Sequence, residues 1–488
     1  MVRKSLFLSF PLLVLSLSGI LQCCRTTSSE NADQEPPSWR TIHYPDVQVD
    51  LAQIRERGKL IAITSYSSTS YFLYRGRPMG YEYELLRHLC DHLGLDLEVK
   101  VAENMDRIID MLLRGEGDLI SYGMAITRDR QEKMAFTEPH TKTHQVLVQR
   151  KPDGWRNMQL HEIEEALIRD PLDLVGKTVS VRRDSAYYSR LKNLMGEIGG
   201  TINVRTVPGQ LETEELIRMV ANGEIDYTIS DYNIAAINAT YYENIDIDTS
   251  ISFNQRIAWA LRKNSPQLLQ VINDWIREMR KTSDYYVIYN RYFKNDKAFR
   301  RRIDSEYFSR SGGRISKYDE LLKEKAQELS WDWRLLASVV YQESRFNPAV
   351  ESWAGAIGLM QIMPNTAEHL GVEDIEDPTD NIAAGVEYLK DLQKNFDDIP
   401  DAEERIKFVL ASYNVGVGHV LDARRLAEKY GADSDVWTDQ VESWILKKSQ
   451  SKYYNDDVVE YGYCRGTEPY RYVREIMERF NQYRLFIE

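Results

Sequence analysis

The hydrophobic pattern of this chain changes its period once, near residue 299. Before that point, apolar strand-like segments alternate with amphipathic helical segments, at residues 60–64, 81–93, 95–101, 105–113 and 118–122. A second round follows, with strands at 175–181 and 226–230 and helices at 185–195 and 212–222. Alternation of this kind predicts parallel sheets covered by helices. The first half is therefore predicted to be α/β.

Helical patterns dominate the second half. They lie at residues 317–329, 331–344, from 366 onward, 382–396 and 403–413. A basic segment at residues 299–316, which ends in S-R-S-G-G-R, is predicted to be a linker between the halves. We therefore predict a multidomain chain in which an α/β domain at 46–298 is followed by an all-α domain at 317–488.

Length and charge exclude some functions. A chain of 488 residues suggests two to three domains. The net charge of −13, without a long run of Lys or Arg, argues against nucleic acid as a partner. No Cys/His group has metal-ligand spacing and no Gly-rich phosphate loop occurs, so neither a metal nor a cofactor is predicted. The distant Cys90 and Cys464 are predicted to be buried free thiols.

The N-terminus has the pattern of a targeting segment. Two basic residues precede an apolar run at 6–21 that is short for a membrane span, so residues 1–22 are predicted to be a signal peptide and residues 23–45 a tether. Cys23 and Cys24 after such a run resemble a bacterial lipoprotein site, although Gln22 is not the usual small residue. The resemblance implies a lipid anchor on one of them and outer-membrane attachment on the periplasmic side of the cell envelope. Plain secretion or an uncleaved anchor is the alternative.

Glu343 interrupts an apolar helical stripe. Leu336, Val339 and Val340 follow the i, i+3, i+4 spacing of one face, and Glu343 is its next member at i+7. An acid on such a face is partly desolvated, which disfavours the charged form and raises the pKa. A raised pKa suits a general acid near neutral pH. A capping or solvated Glu near a helix end is the ordinary alternative.

Three motifs around and after Glu343 point to one family. They are E-S at residues 343–344, G-A-I-G-L-M-Q at 355–361 and A-S-Y-N-V-G at 411–416. Their order and spacing resemble the goose-lysozyme-like soluble lytic transglycosylase domain. The resemblance implies that Glu343 is catalytic and that the following residues bind the substrate, peptidoglycan glycan strands: Ser352, Gln361, Tyr413, Asn414 and Tyr472. It further implies that Tyr472 approaches the catalytic acid.

The same resemblance implies a mechanism with one acid. Most glycosidases need two carboxylates that flank the bond, but nothing in the sequence places Glu351, Glu373, Asp374 or Glu387 opposite Glu343. In the family, the Glu first protonates the oxygen between N-acetylmuramic acid and N-acetylglucosamine. It then takes the proton of the muramic 6-hydroxyl, so a 1,6-anhydro ring closes and no water is consumed.

The first half resembles the extracellular solute-binding proteins that serve amino-acid uptake. The matching segments are G-Y-E-Y-E-L at 80–85, I-T-R-D-R at 126–130, F-T-E-P at 136–139, L-V-G-K at 174–177 and G-E-I-D at 223–226. The resemblance implies a two-lobed periplasmic-binding-protein-like domain, with return strands around Phe253 and at 257–261. By the same resemblance Arg130 pairs with a ligand carboxylate, Ser185 helps to hold it, and Asp231 takes the ammonium. The ligand is then an amino acid or a cell-wall peptide, and an internal Arg130–Asp231 salt bridge in a domain without ligand is the alternative.

One departure leaves the nature of the ligand open. The small hydroxyl residues that the family carries just before Thr127 are absent, and Tyr122, Gly123 and Ala125 stand in this region.

Together the parts resemble membrane-bound lytic murein transglycosylases of the F type. The alternatives are a hydrolysing muramidase, which shares the acid but uses water, and a murein-tethered amino-acid or peptide receptor with an inactive lytic domain.

Overall fold

A computed structural model describes residues 42–182, 185–208, 211–309 and 312–487. The predicted signal peptide, the two candidate lipidation sites and most of the predicted tether lie outside these residues. Within them, no helix combines the length and the apolar character needed to cross a membrane.

The first lobe is a mixed sheet with helices packed against it. The sheet follows the order β4-β1-β5-β13-β6, with β7 also paired to β13. Its strands, with the short hairpin β2–β3, are β1 Lys59–Thr64, β2 Phe72–Tyr74, β3 Arg77–Met79, β4 Asp96–Val101, β5 Leu119–Ala125, β6 Met134–Phe136, β7 Thr141–Thr143 and β13 Gln255–Arg262. The helices are α1 Leu51–Arg57, α2 Tyr81–Leu93, α3 Met105–Leu113, α4 Arg128–Lys133, α9 Pro266–Met279, α10 Ser283–Phe293 and α11 Asp296–Ile303.

The second lobe repeats the plan with residues 145–252. Its sheet follows the order β10-β9-β11-β8-β12, in which β9 is parallel to both neighbours and β8 is antiparallel. The strands are β8 Gln145–Arg150, β9 Thr178–Arg182, β10 Asn203–Val207, β11 Tyr227–Asp231 and β12 Ile245–Asp246. The helices are α5 Leu160–Ala166, α6 Ala186–Ile198, α7 Thr213–Asn222 and α8 Tyr232–Ala239.

The predicted two-lobed α/β architecture is confirmed, but one predicted strand is wrong. Phe253 is 93% exposed and lies in an irregular segment, and the return strand begins at Gln255. This segment carries the chain from the second lobe back to the first, so it has no sheet neighbour to pair with. The antiparallel strand β8, which enters the second lobe, was not predicted.

The segment 299–316, predicted as a linker, contributes buried side chains to the first lobe. Helix α11 runs into it, and the side chains of Phe299 and Phe308 are buried. The rings of Phe308 and Phe72 pack edge-to-face, with 5.3 Å between their centroids. The change of domain therefore occurs late in the segment rather than at its start.

The second half of the chain is helical, as predicted. Its helices are α12 Asp319–Leu329, α13 Trp333–Ser344, α14 Pro364–His369, α15 Pro378–Gln393, α16 Ala402–Val415, α17 Val417–Lys429, α18 Glu442–Lys447, α19 Ser451–Tyr454 and α20 Thr467–Phe486. One apolar cluster joins them. Cys464 lies in this cluster and Cys90 in that of the first lobe. Both are buried free thiols, which confirms the prediction made for these two cysteines.

The two halves of the chain are packed against each other. Leu73, from the β2–β3 hairpin, is buried in the cluster of the helical half. The Tyr483 hydroxyl donates a hydrogen bond to the Gly76 carbonyl at 2.8 Å. Gly76 has φ +69°, and a Cβ there would lie 2.8 Å from both the Tyr483 hydroxyl oxygen and the Phe346 ring. Only glycine permits this close approach.

Asn381 holds the loop that contains the G-x-x-G-L-M-Q motif. Its buried side chain accepts a hydrogen bond from the Met360 N–H at 2.8 Å and donates to the Ile357 carbonyl at 3.0 Å and the Ile375 carbonyl at 2.8 Å. Gly358 faces it with φ +84°, and a Cβ there would lie 2.3 Å from the Asn381 Nδ2 atom. The glycine is thus required by both its backbone angle and this contact.

We predict that Asn381→Ala destabilises the helical half by about 1–3 kcal/mol, because three hydrogen bonds to backbone groups are lost and the buried Met360 N–H loses its partner. Calorimetric melting of the full chain measures the loss. The exposed Asn395 bonds only to carbonyls of its own helical segment, so Asn395→Ala is the matched control and should change stability by less than about 0.5 kcal/mol. Equal melting temperatures for the two variants would contradict the role given to Asn381.

Candidate active site

Helix α13 delivers Glu343 to the wall of a cavity. The apolar residues of its face, Leu336, Val339 and Val340, are fully buried, and Glu343 is partly buried. The helix ends directly afterwards because Arg345 and Phe346 take left-handed backbone angles, with φ 53° and 60°. A carboxylate in the last turn faces the negative end of the helix dipole, which also disfavours its charged form.

The cavity has a volume of about 460 Å³ and is lined by three helices and the segment before the last of them. Of the residues predicted from the motifs, it brings together Glu343, Asn414 and Tyr472. Sequence reasoning missed the remaining lining residues, Gln342, Arg465, Thr467, Glu468, Arg471 and Glu475. Gln342 and Arg471 adjoin motif residues, which was the only available signal for them.

The Tyr472 hydroxyl donates a hydrogen bond to Glu343 Oε1. Burial raises the pKa of Glu343 to about 7, while the bond from Tyr472 acts in the opposite direction by stabilising the carboxylate. Burial also raises the pKa of Tyr472 well above its usual range, so its hydroxyl stays protonated and remains a donor. The carboxyl is therefore poised to give and to take a proton near neutral pH.

The described cavity wall contains three carboxyl groups, and that of Glu343 is the desolvated one. The other two, Glu468 and Glu475, are exposed. Glu475 accepts a hydrogen bond from Gln342 Nε2 at 2.9 Å. None of the four carboxylates that the sequence offered, Glu351, Glu373, Asp374 and Glu387, lines this cavity.

Tyr413 supports the site from behind. Its hydroxyl donates to the Met360 carbonyl at 2.7 Å, which ties α16 to the motif loop. Burial, and then the nearby Glu343 carboxylate, raise the pKa of Tyr413 well above its usual range. The residue therefore lies close to the acid, although it does not line the cavity.

The other two predicted substrate ligands shape the motif loop. Ser352 Oγ accepts a hydrogen bond from the Ala356 N–H at 2.9 Å. Gln361, with φ 51°, donates through Nε2 to the Val350 carbonyl at 2.9 Å and the Gly358 carbonyl at 3.0 Å. The structure thus does not place Ser352 or Gln361 in the cavity wall, and their amide and hydroxyl groups already serve local bonds.

The predicted ligand residues of the first domain come from both lobes. Arg130 lies in the first turn of α4, is buried, and donates to the Ala125 carbonyl at 3.0 Å. Asp231 is the last residue of β11. Burial raises its pKa to about 7, and a hydrogen bond from Tyr187 acts in the opposite direction. Its Oδ1 is buried without a hydrogen-bond partner in the described structure. The described ion pairs include none between Arg130 and Asp231.

Ser185 caps a helix. Its hydroxyl donates to the Arg182 carbonyl at 2.8 Å and accepts the Tyr188 N–H at 3.4 Å, at the start of α6. Its hydrogen-bonding capacity is therefore used locally.

Polar contacts also cross between the lobes. Arg182 Nη1, in the second lobe, lies 2.6 Å from Glu212 Oε2, and both side chains are buried. From the first lobe, Tyr122 donates its hydroxyl to the same Glu212 oxygen at 3.2 Å, and Ser65 donates to Glu212 Oε1 at 3.1 Å. Tyr122, which departs from the family pattern in sequence, is thus a contact between the lobes.

Comparisons with known proteins follow the same division of the chain. Residues 60–295 match the family of bacterial extracellular solute-binding proteins, family 3, and residues 320–436 match the transglycosylase SLT domain. A crystal structure of an ancestral amino acid-binding protein, a precursor of cyclohexadienyl dehydratase, is 24% identical in sequence. That likeness covers 50% of this chain and 99% of the other, with a TM-score of 0.41.

Relatives match across both domains. The membrane-bound lytic murein transglycosylase F of Desulfosudis oleivorans is 37% identical over 431 residues, which are 88% of this chain and 91% of that protein. The protein of the same name from Pseudomonas fluorescens is 31% identical, over 88% of this chain and 86% of its own length. The chain belongs to the family of membrane-bound lytic murein transglycosylases F.

Proposed function

We propose that this protein is a lytic transglycosylase that cleaves the β-1,4 bond between N-acetylmuramic acid and N-acetylglucosamine in peptidoglycan and leaves 1,6-anhydromuramic ends. The observation that carries the proposal is the desolvated Glu343 carboxyl, bonded by Tyr472 in a cavity of about 460 Å³. Family membership supports it, since the relatives are named for this activity.

Glu343 performs both proton transfers. In its protonated form it donates to the glycosidic oxygen as the bond from that oxygen to muramic C1 breaks. The substrate's own acetamido group stabilises the resulting sugar cation. The Glu343 carboxylate then removes the proton of the muramic 6-hydroxyl, whose oxygen bonds to C1, so no water enters the products. A pKa of about 7 supports both steps, because neither protonation state is strongly disfavoured at neutral pH.

Neighbouring groups support this chemistry in distinct ways. Tyr472 orients the carboxyl and stabilises its charged form through the hydrogen bond to Oε1. Asn414 lines the cavity and offers an amide to a sugar hydroxyl or acetamido group. Ser352, Gln361 and Tyr413 act by holding the motif loop in place.

The first domain, in this proposal, binds an amino acid or a short cell-wall peptide between its lobes. Asp231 is suited to a ligand ammonium because one of its buried oxygens has no hydrogen-bond partner in the described structure. Arg130 is suited to a carboxylate, which a guanidinium can bind in bidentate fashion. The Arg182–Glu212 pair and Tyr122 occupy part of the space between the lobes, so the ligand must be accommodated beside them or displace them.

Ligand binding is further proposed to influence lysis. Ser65 bonds to the second lobe through Glu212, and the ring of the next residue, Tyr66, lies 3.7 Å from that of Phe486 on α20. The same helix carries Tyr472 to Glu343. Movement of the lobes is thereby linked to the helix that sets the catalytic hydrogen bond, with a coupling on the order of 1–3 kcal/mol.

The site of action is the cell envelope, on its periplasmic side, with attachment to the outer membrane through lipidated Cys23 or Cys24. Support comes from the position of these cysteines after the apolar run and from relatives named as membrane-bound.

We predict that Glu343→Gln lowers the rate of lysis of purified sacculi by at least about 10²- to 10⁴-fold, because the amide keeps the shape but transfers no proton. Mass spectrometry of fragments released by wild type should show 1,6-anhydromuramic ends, lighter by one water than hydrolytic products. The exposed Glu351→Gln is the matched control and should retain activity. Near-normal lysis by folded Glu343→Gln would disprove the assignment, and reducing ends from the start of digestion would identify a muramidase.

We predict that kcat/KM for lysis falls above pH 7, since the free enzyme must hold a protonated Glu343. Tyr472→Phe removes a bond that stabilises the carboxylate, so it raises the pKa of Glu343 and moves this fall to higher pH. Tyr413→Phe, whose lost hydroxyl bonds to the Met360 carbonyl instead, should leave the position of the fall unchanged. A fall at the same pH in Tyr472→Phe and wild type would refute the electrostatic role of Tyr472.

We predict that calorimetry with amino acids and stem peptides detects a ligand whose affinity drops by at least about thirtyfold in Arg130→Ala, as expected when one partner of a buried charge pair is lost. Affinity should rise between pH 6 and pH 8, because Asp231 must ionise to pair with the ammonium. Arg128→Ala, an exposed arginine of the same helix, is the control. Absence of binding by all these compounds would leave the domain a spacer, and binding without a change in lysis would remove the regulatory link.

A further inference from the structure

A second and larger cavity lies between the first lobe and the helical half. Its volume is about 1330 Å³, and its wall is formed by α2, β4, α13 and α20 together with nearby segments. Gln342, Arg471 and Glu475 line both this cavity and the one that contains Glu343. The two cavities are therefore adjacent, and the Gln342–Glu475 hydrogen bond of 2.9 Å belongs to the wall that they share.

Arginines without an ion-pair partner in the described structure gather on this wall. They come from both halves of the chain, as Arg77 and Arg87 of the first lobe, Arg345 directly after α13, and Arg471 on α20. Arg479 of the same wall also has no ion pair among the described residues and donates to the Ser338 carbonyl at 3.3 Å, whereas Arg474 is paired with Glu442 at 2.8 Å. In a chain with a net charge of −13, such a group of available guanidinium ions is a specific feature of this cavity.

Carboxyl groups without an ion pair are fewer on this wall than arginines without one. Asp91, Glu475 and Glu478 line the cavity without an ion pair among the described residues. Glu478 is the most buried of the three, and burial raises its pKa to about 7. Among the wall residues without an ion pair, arginines thus outnumber carboxyl groups, and those carboxyl groups are acceptors for an ammonium group.

This combination matches a peptide better than it matches sugar. Glycan strands present hydroxyl and acetamido groups, which suit the aromatic and amide side chains of this wall, such as Tyr470 and Gln482, but leave its unpaired arginines without a partner. The peptides that branch from muramic acid carry several carboxylates and, in many cell walls, an amine. Guanidinium groups pair with carboxylates in a planar, bidentate geometry. The peptide also starts at the sugar whose glycosidic bond lies at Glu343, so the neighbouring cavity is within its reach.

We propose that the cavity between the domains holds the peptide branch of the strand being cleaved, with its carboxylates on Arg77 and Arg87 of the first lobe. The first domain then contributes to substrate selection directly, in addition to binding a ligand between its lobes. This inference rests on the proposed lytic activity, and it identifies peptide-bearing strands as the preferred substrate class.

The test compares two substrates with one pair of variants. Intact sacculi carry peptides, and sacculi treated with an amidase that removes the peptides supply naked strands. The double variant Arg77→Gln, Arg87→Gln should lower the ratio of kcat/KM on peptide-bearing strands to kcat/KM on naked strands by about three- to tenfold, as expected for the loss of two solvent-accessible ion pairs. The effect should shrink in 0.5 M NaCl because exposed charges are screened.

A matched variant removes the same charge elsewhere. Arg55 and Arg205 are exposed residues of the first and second lobes that do not line the cavity. Arg55→Gln, Arg205→Gln should keep the wild-type ratio. The proposal is overturned if the ratio is unchanged in Arg77→Gln, Arg87→Gln, or if it falls equally in the matched variant. Failure of the lytic function is distinct, since wild type would then release no anhydromuramic fragments from either substrate.

Discussion

The hydrogen bond from Tyr472 to Glu343 is the interaction on which the site depends, because it opposes the rise that burial causes in the pKa of Glu343. Burial alone would keep the carboxyl protonated and make it a poor base. Full solvation would ionise it and make it a poor acid. The phenol stabilises the anion without adding a charge, and the result is a pKa of about 7. One residue can then serve two opposite proton transfers.

That bond requires helix α20 to be held firmly. Val473 and Ile476 pack in the apolar cluster of the helical half, and α20 lies against both α13 and α16. The far end of the same helix meets the first lobe through Tyr483 and Phe486. From Tyr472 to Phe486 the helix spans about 21 Å at 1.5 Å per residue. A rigid element of this length connects the Glu343 carboxyl to the domain proposed to bind a ligand.

The interface between the domains depends on a glycine and a buried leucine. Leu73 anchors the β2–β3 hairpin in the helical core, and Gly76 brings the backbone into contact with Tyr483 and Phe346. Phe346 directly follows the left-handed turn at Arg345 that ends the catalytic helix. The first lobe is therefore in contact with the segment that terminates α13, two to three residues from Glu343.

The sequence by itself determined the type of each domain and pointed to Glu343 as the candidate acid. These follow from local pattern: the period of apolar residues predicts strands or helices, and Glu343 on an apolar stripe predicts desolvation. Prediction of strands was less reliable where the chain passes from one lobe to the other, as at Phe253, because such a segment carries no hydrophobic periodicity. The substrate role that the motif resemblance predicts for Ser352 and Gln361 stays a prediction, and in the structure these side chains bond to the Ala356 N–H and the Val350 carbonyl.

Tertiary structure alone decided which distant residues share a site. Asn381 belongs to none of the motifs recognised in the sequence, and only the folded chain brings it to Met360 and Ile357. The Tyr122–Glu212 contact and the arginine-lined cavity likewise join segments that are far apart in sequence. The physical reason is that hydrophobic periodicity specifies which face of an element is buried, but not which other element will cover it. That choice is made by packing across the whole chain, and at this active site it places α20 over Glu343.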